Sequence, residues 1–330
     1  MRIKNIEFNV NAASGALGWF GEGYWNHKWY ESFFPSFAQT VGDMSFVAKT
    51  ITTDLRIGNL PLDENYAPKD LFPRCIKVYP VRGFMLNAVD SSGPGFKELL
   101  ATGKWQNIIR PALGISFMPV GNTLEEMLRE TSWFKYELVK VIEIKRDGFA
   151  SPIWIQINIS CPNTGSEHQQ LISDNVTEIL KQFQYLRLFY DLVIDLKVNL
   201  LMPNEVIKEI WQKDLCDIVT ISNTIKYGTE GLGIKWRRLF WWRKTSPLAE
   251  YGGGGLSGRP LFKPLCEKIM SVRRDCIRIP IKAGGGIFSI SDIRTIRAYG
   301  ANAIELGTVI SLRPWRIRRL VEEAKKLFSN

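Results

Sequence analysis

Short runs of apolar and β-branched residues alternate along this chain with longer stretches whose apolar positions recur at helical spacing. Such alternation marks βα units, which bury a parallel sheet beneath helices. Candidate strands are Met44–Thr50, Gly83–Val89, Ala112–Met118, Ile153–Ser160, Asp191–Val198, Asp217–Ser222, Ile279–Gly284 and Asn302–Gly307. Several are apolar on both faces, as in Ile153-Trp154-Ile155, which suits strands that helices cover. Eight of them predict an α/β fold closed as a TIM (β/α)8 barrel. The residues before Met44 are expected to form an N-terminal extension, and about 226–255 a long insertion after the sixth strand. No Pro/Gly-rich linker divides residues 1–330, so one domain is expected.

Helices are expected at Thr123–Ile144, with Thr123 as N-cap and early acids, at Val176–Leu188, from Ser289 to a stop at Gly300, and at Trp315–Phe328. Two stretches exceed a plain barrel. Trp19 to Phe37 holds nine aromatics, and Lys226 to Gly255 is too long for an ordinary βα loop. Both are expected at the catalytic rim or a contact surface.

No apolar run approaches the roughly 18 residues of a membrane span, and the start Met1-Arg-Ile-Lys lacks a signal peptide's apolar core, so a cytoplasmic location is expected. Five cysteines with no Cys-x-x-Cys pair, and only two histidines, support neither a disulfide framework nor a metal site. Cys75, Cys216, Cys266 and Cys276 are expected as buried small hydrophobes. The net charge of +10 is partly local: Lys235, Arg237, Arg238, Arg243 and Lys244 are interleaved with Trp236, Phe240, Trp241 and Trp242. We expect these aromatics to pack on the barrel or a sister subunit while the charges stay wet. Contact of 235–244 with an anionic membrane surface is the alternative.

In such a barrel the active site gathers at the C-terminal ends of the strands. On this reading Lys49 ends the first strand and Asn87 the second. Asn158 and Cys161 follow at the fourth, Lys197 at the fifth, Ser222-Asn223-Thr224 at the sixth, Gly284-Gly285-Gly286 at the seventh and Gly307-Thr308 at the eighth. Each signal alone is weak, but all converge on one rim. Glycine amides at a helix N-terminus suit an anion, and Gly252 to Gly258 adds a second amide-rich turn, so a phosphate-bearing cofactor is expected.

Taken in order, Asn11-Ala-Ala-Ser14-Gly15, Ala48-Lys49-Thr50, Asn87-Ala-Val89, Asn158-Ile-Ser-Cys161-Pro-Asn163, Lys197-Val198, Ile221-Ser-Asn223-Thr224, Gly254-Gly-Leu-Ser-Gly258, Gly284-Gly-Gly-Ile-Phe288 and Leu306-Gly-Thr308 resemble the dihydroorotate dehydrogenases. These are flavin-mononucleotide barrel enzymes of pyrimidine biosynthesis, and the resemblance spans nearly the whole chain. It implies that Ala13, Ser14, Gly15, Lys49, Asn158 and Lys197 hold the flavin's ring and ribityl parts. Gly258, Gly285, Gly286, Gly307 and Thr308 would cradle its phosphate. Asn87, Asn158, Asn163, Asn223 and Thr224 would hydrogen-bond the dihydroorotate ring, to which asparagine offers both a donor and an acceptor.

Oxidising a saturated carbon pair moves a hydride to the flavin and a proton to a base, here Cys161. A cysteine at this position resembles the soluble class of the family. Asp90 departs from the small residues usual after Asn87-Ala-Val89, and its side chain is expected to point away from the substrate carboxylate. Fumarate, a quinone, or nicotinamide through an iron–sulfur partner subunit all remain open as oxidant. A homodimer is expected and a nucleic-acid partner is not. The alternatives are a flavin enzyme for another dihydropyrimidine and a flavin barrel that serves only as a scaffold.

Overall fold

The computed structural model describes residues 1–144, 148–159, 166–241, 243–275 and 277–329, with the side chains of 144 and 166–173 outside the description. Eight parallel strands close into a barrel flanked by helices. They are β1 (Val10–Ala12), β2 (Ser45–Val47), β3 (Leu113–Phe117), β4 (Ile153–Asn158), β5 (Val193–Val198), β6 (Ile218–Ile221), β7 (Ile281–Gly284) and β8 (Ala303–Leu306). The ring closes where β8 pairs with β1, Glu305 beside Asn11.

The expected strand number holds, but one member was misplaced. Phe84–Asn87 lies in a separate four-stranded antiparallel sheet, between Ile76–Tyr79 and Gly255–Gly258, with Ile225–Lys226 at the far edge. An apolar run reports that a strand is covered, not which sheet it joins. The true first strand, Val10-Asn11-Ala12, is three residues long with an asparagine at its centre, so it shows no apolar run. Residues before Met44 therefore include a stave of the barrel. The helices Trp25–Phe33 and Pro35–Gly42 connect β1 to β2.

Leu124–Ile144 and Pro314–Phe328 form as expected. Ile290–Ala298 opens on a reciprocal cap: the Ser289 hydroxyl accepts from the Asp292 amide at 3.2 Å, while the Asp292 carboxylate accepts from the Ser289 amide at 2.9 Å. The span expected as one helix, Val176–Leu188, is the end of Ser166–Lys181 followed by Gln184–Phe189. The chain turns at Gln182-Phe183, which places the Phe183 ring in the core.

The N-terminal end of the barrel is plugged by Ile6, Phe8, Val47, Trp154, Val193 and Ile218. Gly114 on β3 makes the Trp154 position possible, because a Cβ there would stand 2.6 Å from the indole. Burying that ring contributes on the order of 4 kcal/mol. Above the plug sits a polar layer around Asp195, which accepts from Gln156 at 2.9 Å, Thr220 at 2.6 Å and Lys282 at 2.7 Å. Charged residues inside apolar strands are thus paired across the barrel interior. Removing one partner of such a pair costs far more than the pair contributes.

In the 226–255 insertion, Phe240 packs against Tyr79 and Phe84 at 5.5 Å and Tyr227 at 5.2 Å, and Trp236 lies 5.0 Å from Tyr227. Tyr227, Trp236 and Phe240 therefore pack together on the antiparallel sheet. Trp241 remains exposed beneath the Arg82 guanidinium, 3.8 Å from the ring. Cys75, Cys216 and Cys266 are buried and free, while Cys276 lies outside the described residues. Among the described residues no His/Cys/Asp/Glu group suits a metal ion, and no helix is long and apolar enough to cross a membrane.

Candidate functional site

Asn158 closes β4 at the barrel mouth with its amide held at both ends. Its Nδ2 donates to Thr50 Oγ1 at 3.0 Å, and its Oδ1 accepts from Asn223 Nδ2 at 3.0 Å. Thr50 Oγ1 lies 3.1 Å from Ser14 Oγ and 2.9 Å from Ser116 Oγ, and Ser14 Oγ donates to the Ala48 carbonyl at 2.9 Å. Asn223 Oδ1 accepts from the Thr224 amide at 2.8 Å. One hydrogen-bonded chain thus links the loops that follow β1, β2 and β6 with Ser116 on β3 and Asn158 at the end of β4. Paired in this way, the Asn158 amide plane has a fixed direction. Thr50 stood in the Ala48-Lys49-Thr50 motif but was given no role, and Ser116 was not singled out; a hydroxyl near the end of an apolar strand was its only signal.

Lys197, on β5, donates to Glu305 Oε1 at 2.8 Å, from the opposite side of the barrel, and both side chains are buried. Glu305 Oε2 is buried with no hydrogen-bond partner. Sequence reasoning missed Glu305, although a carboxylate inside Ala303-Ile-Glu-Leu306 was a visible anomaly. Lys49 donates to the Ser92 carbonyl, and its ammonium stands 4.3 Å from the Trp19 ring centroid. Gly15 packs on the Lys49 stem, and the Tyr24 hydroxyl donates to the Gly15 carbonyl at 2.8 Å. Burial pushes the Tyr24 phenol well above its ordinary range, so it acts as a neutral donor. Gly307 faces Ala13, whose amide donates to the Leu306 carbonyl at 2.8 Å.

A second cluster lies at the ends of β7 and β8. Gly258 has φ +102°, and a Cβ on it would stand 2.4 Å from the Gly83 carbonyl and 3.1 Å from Thr308 Cγ2. A Cβ on Gly286 would meet the Phe262 amide nitrogen at 2.7 Å and the Gly258 carbonyl at 2.9 Å; one on Gly285 would stand 3.0 Å from Ser222 Oγ. Thr308 Oγ1 and Ser257 Oγ are 3.0 Å apart. Backbone this closely apposed admits only glycine and gathers main chain and hydroxyls free of side-chain bulk, the kind of surface that suits an anion.

The structure therefore brings Ala13, Ser14, Gly15, Lys49, Asn158, Lys197, Asn223 and Thr224 to the mouth, and Gly258, Gly285, Gly286, Gly307 and Thr308 to the glycine cluster beside it. Asn87 is the exception to the expected strand-end pattern. It ends an antiparallel strand, paired with Gly255 and Ile76, because Phe84–Asn87 belongs to the second sheet. The loop after it still reaches the mouth, through the Ser92 carbonyl on Lys49. In that loop Asp90 has φ +55° and directs its carbonyl oxygen at Gly58. Cys161 and Asn163 lie outside the described residues.

The profile of the family described as dihydroorotate dehydrogenase matches residues 39–328. The catalytic subunit of dihydroorotate dehydrogenase B (NAD(+)) from Carboxydothermus hydrogenoformans is 26% identical over 284 residues, 84% of this chain and 78% of that protein. The protein of the same name from Listeria monocytogenes is 26% identical over 335 residues, covering 96% of this chain and 88% of that one. Among solved structures, ligand-free DHODH from Eimeria tenella superimposes with a TM-score of 0.66 at 17% identity, over 98% of this chain and 87% of that chain. That likeness supports the barrel fold, and the profile spans most of the sequence. The chain belongs to the dihydroorotate dehydrogenase family, oxidoreductases that act on a CH–CH bond.

Proposed function

We propose that this protein oxidises dihydroorotate to orotate with flavin mononucleotide as its resident cofactor. The observation that carries the reading is the Asn158–Asn223 pair set beside the buried Lys197–Glu305 pair, with the glycine cluster adjoining. The residues fit the cofactor on three counts: main chain stripped of side chains at Gly258, Gly285 and Gly286, ammonium donors on Lys49 and Lys197, and a buried carboxylate oxygen on Glu305 still open to a donor. Ala13, Ser14, Gly15, Lys49, Asn158 and Lys197 would hold the ring and ribityl parts. Gly258, Gly285, Gly286, Gly307 and Thr308 would hold the phosphate. When bound, the flavin supplies the hydride acceptor.

The chain's own residues orient the substrate and take the proton. Asn158 and Asn223 present amides whose directions are already set, so little orientation is left to settle when a planar ring binds. Asn87, Asn163 and Thr224 complete the hydrogen bonds to that ring. Cys161, three residues beyond the end of β4, takes the proton from the carbon next to the one that loses hydride. Asp90 is given no part in binding the substrate carboxylate. The relatives' name carries NAD(+), which favours nicotinamide as the final oxidant, reached through a partner subunit.

Anaerobic reduction tests this. The purified yellow protein should bleach on adding dihydroorotate. Bleaching with dihydrouracil alone would move the substrate to another dihydropyrimidine, and no bleaching with either would leave a scaffold. Cys161→Ala should keep the colour and lose on the order of a hundredfold or more in reduction rate.

A further inference from the structure

We infer that a second ligand site lies between the 226–255 insertion and the helix Phe262–Arg274, and that it binds a small molecule carrying several phosphate groups. A cavity of about 880 Å³ opens there, within the usual size range of ligand pockets. Arg82, Lys235, Arg238, Arg259 and Lys263 line it, and Glu267 is the one carboxylate among its described lining residues.

The contacts that fix these cations leave most of their charge unbalanced. The Arg82 guanidinium donates to the carbonyls of Arg238 at 3.0 Å and Leu239 at 2.7 Å, and stacks on Trp241. Those partners are neutral, so they orient the charge without cancelling it. Lys263 comes no nearer than 3.7 Å to Glu267. Arg259 spends one nitrogen on Asp292 at 2.7 Å and on the Gly286 carbonyl at 3.2 Å.

A smaller cavity of about 280 Å³ shares Arg82 and Arg259 and adds Arg313, Arg316 and the Asp292 carboxylate paired with Arg259. A concavity with such an excess of one sign of charge focuses its field on whatever enters. Guanidinium forks match phosphate oxygens in geometry as well as charge. Leu232, Ile234 and Phe262 line the larger cavity too and give an organic body apolar surface to rest on. A concave cleft of this size suits a discrete molecule better than a flat membrane. The site is independent of the reaction proposed at the barrel mouth.

The test uses the full-length, flavin-loaded protein and titration calorimetry with inorganic tripolyphosphate and with adenosine triphosphate. Saturable binding of one molecule per chain is expected, weakened at least tenfold in the double variant Arg238→Gln, Lys263→Gln, which removes two charged donors. Lys244→Gln, on the same insertion but outside the lining, should leave affinity unchanged. Flavin absorbance should be the same in all three proteins. No saturable binding, or equal binding by the double variant, overturns the proposal. Loss of flavin from the double variant also overturns it, because the cleft would then be the phosphate end of the cofactor site. Sedimentation with phosphatidylglycerol vesicles, in the absence of tripolyphosphate binding, would reassign the cleft to a lipid headgroup and equally defeat it.

Discussion

Lys197 Nζ lies 2.8 Å from Glu305 Oε1 at the upper end of the barrel interior, with both side chains shut away from solvent. In that setting each charge controls the other's effect on anything bound above them. Glu305→Gln keeps the shape and removes the negative charge. The uncompensated ammonium should favour the electron-rich reduced flavin and raise its midpoint potential by roughly 50 mV, a shift of about 2 kcal/mol for a two-electron couple. Spectroelectrochemistry of the flavin-loaded variant reads this directly. An unmoved potential would place the pair away from the ring.

Gly258 combines φ +102° with a Cβ position 2.4 Å from the Gly83 carbonyl. Gly258→Ala must therefore shift backbone at the glycine cluster. We expect flavin mononucleotide affinity to fall at least tenfold, with a stability loss of about 1–3 kcal/mol. Fluorescence titration of the apoprotein measures the first and urea unfolding the second. A destabilised variant with undiminished affinity would remove Gly258 from the phosphate site.

The Asp195 carboxylate accepts from Gln156, Thr220 and Lys282 in an interior closed to water. Asp195→Leu alone strands the Lys282 charge and should cost about 3–5 kcal/mol. Adding Lys282→Met removes the stranded charge and should recover much of that loss. Chemical denaturation of the two single variants and the double gives the coupling. Additive losses would show that the two charges act independently.

His27 is buried, and burial lowers its pKa to about 4. The unfolded chain, with an ordinary value near 6.5, binds that proton more readily. Stability from the neutral ring is thus complete above about pH 6.5 and is lost as pH falls towards 4, by about 3 kcal/mol in all. Urea midpoints between pH 7 and pH 4 should fall less steeply in His27→Phe than in the parent. Parallel slopes would exclude His27 as a source of acid sensitivity.

Local pattern along the chain encodes much of the fold. Apolar runs against helical spacing predicted a closed eight-stranded barrel, and seven of its staves were placed, because covered strands must be apolar on both faces. The strand-end residues Lys49, Asn158, Lys197, Asn223 and Thr308 were legible because a polar group after an apolar run marks the rim. Gly258, Gly285 and Gly286 were legible because glycines cluster where backbone must come close.

Only the tertiary structure decided which sheet holds Phe84–Asn87, and that Val10–Ala12 closes the ring. It alone paired Lys197 with Glu305 and Asn158 with Thr50, partners 108 residues apart in each case. Such pairings depend on strand register and barrel closure. Both are settled by the packing of all eight strands together, and neither leaves a signature within any single segment.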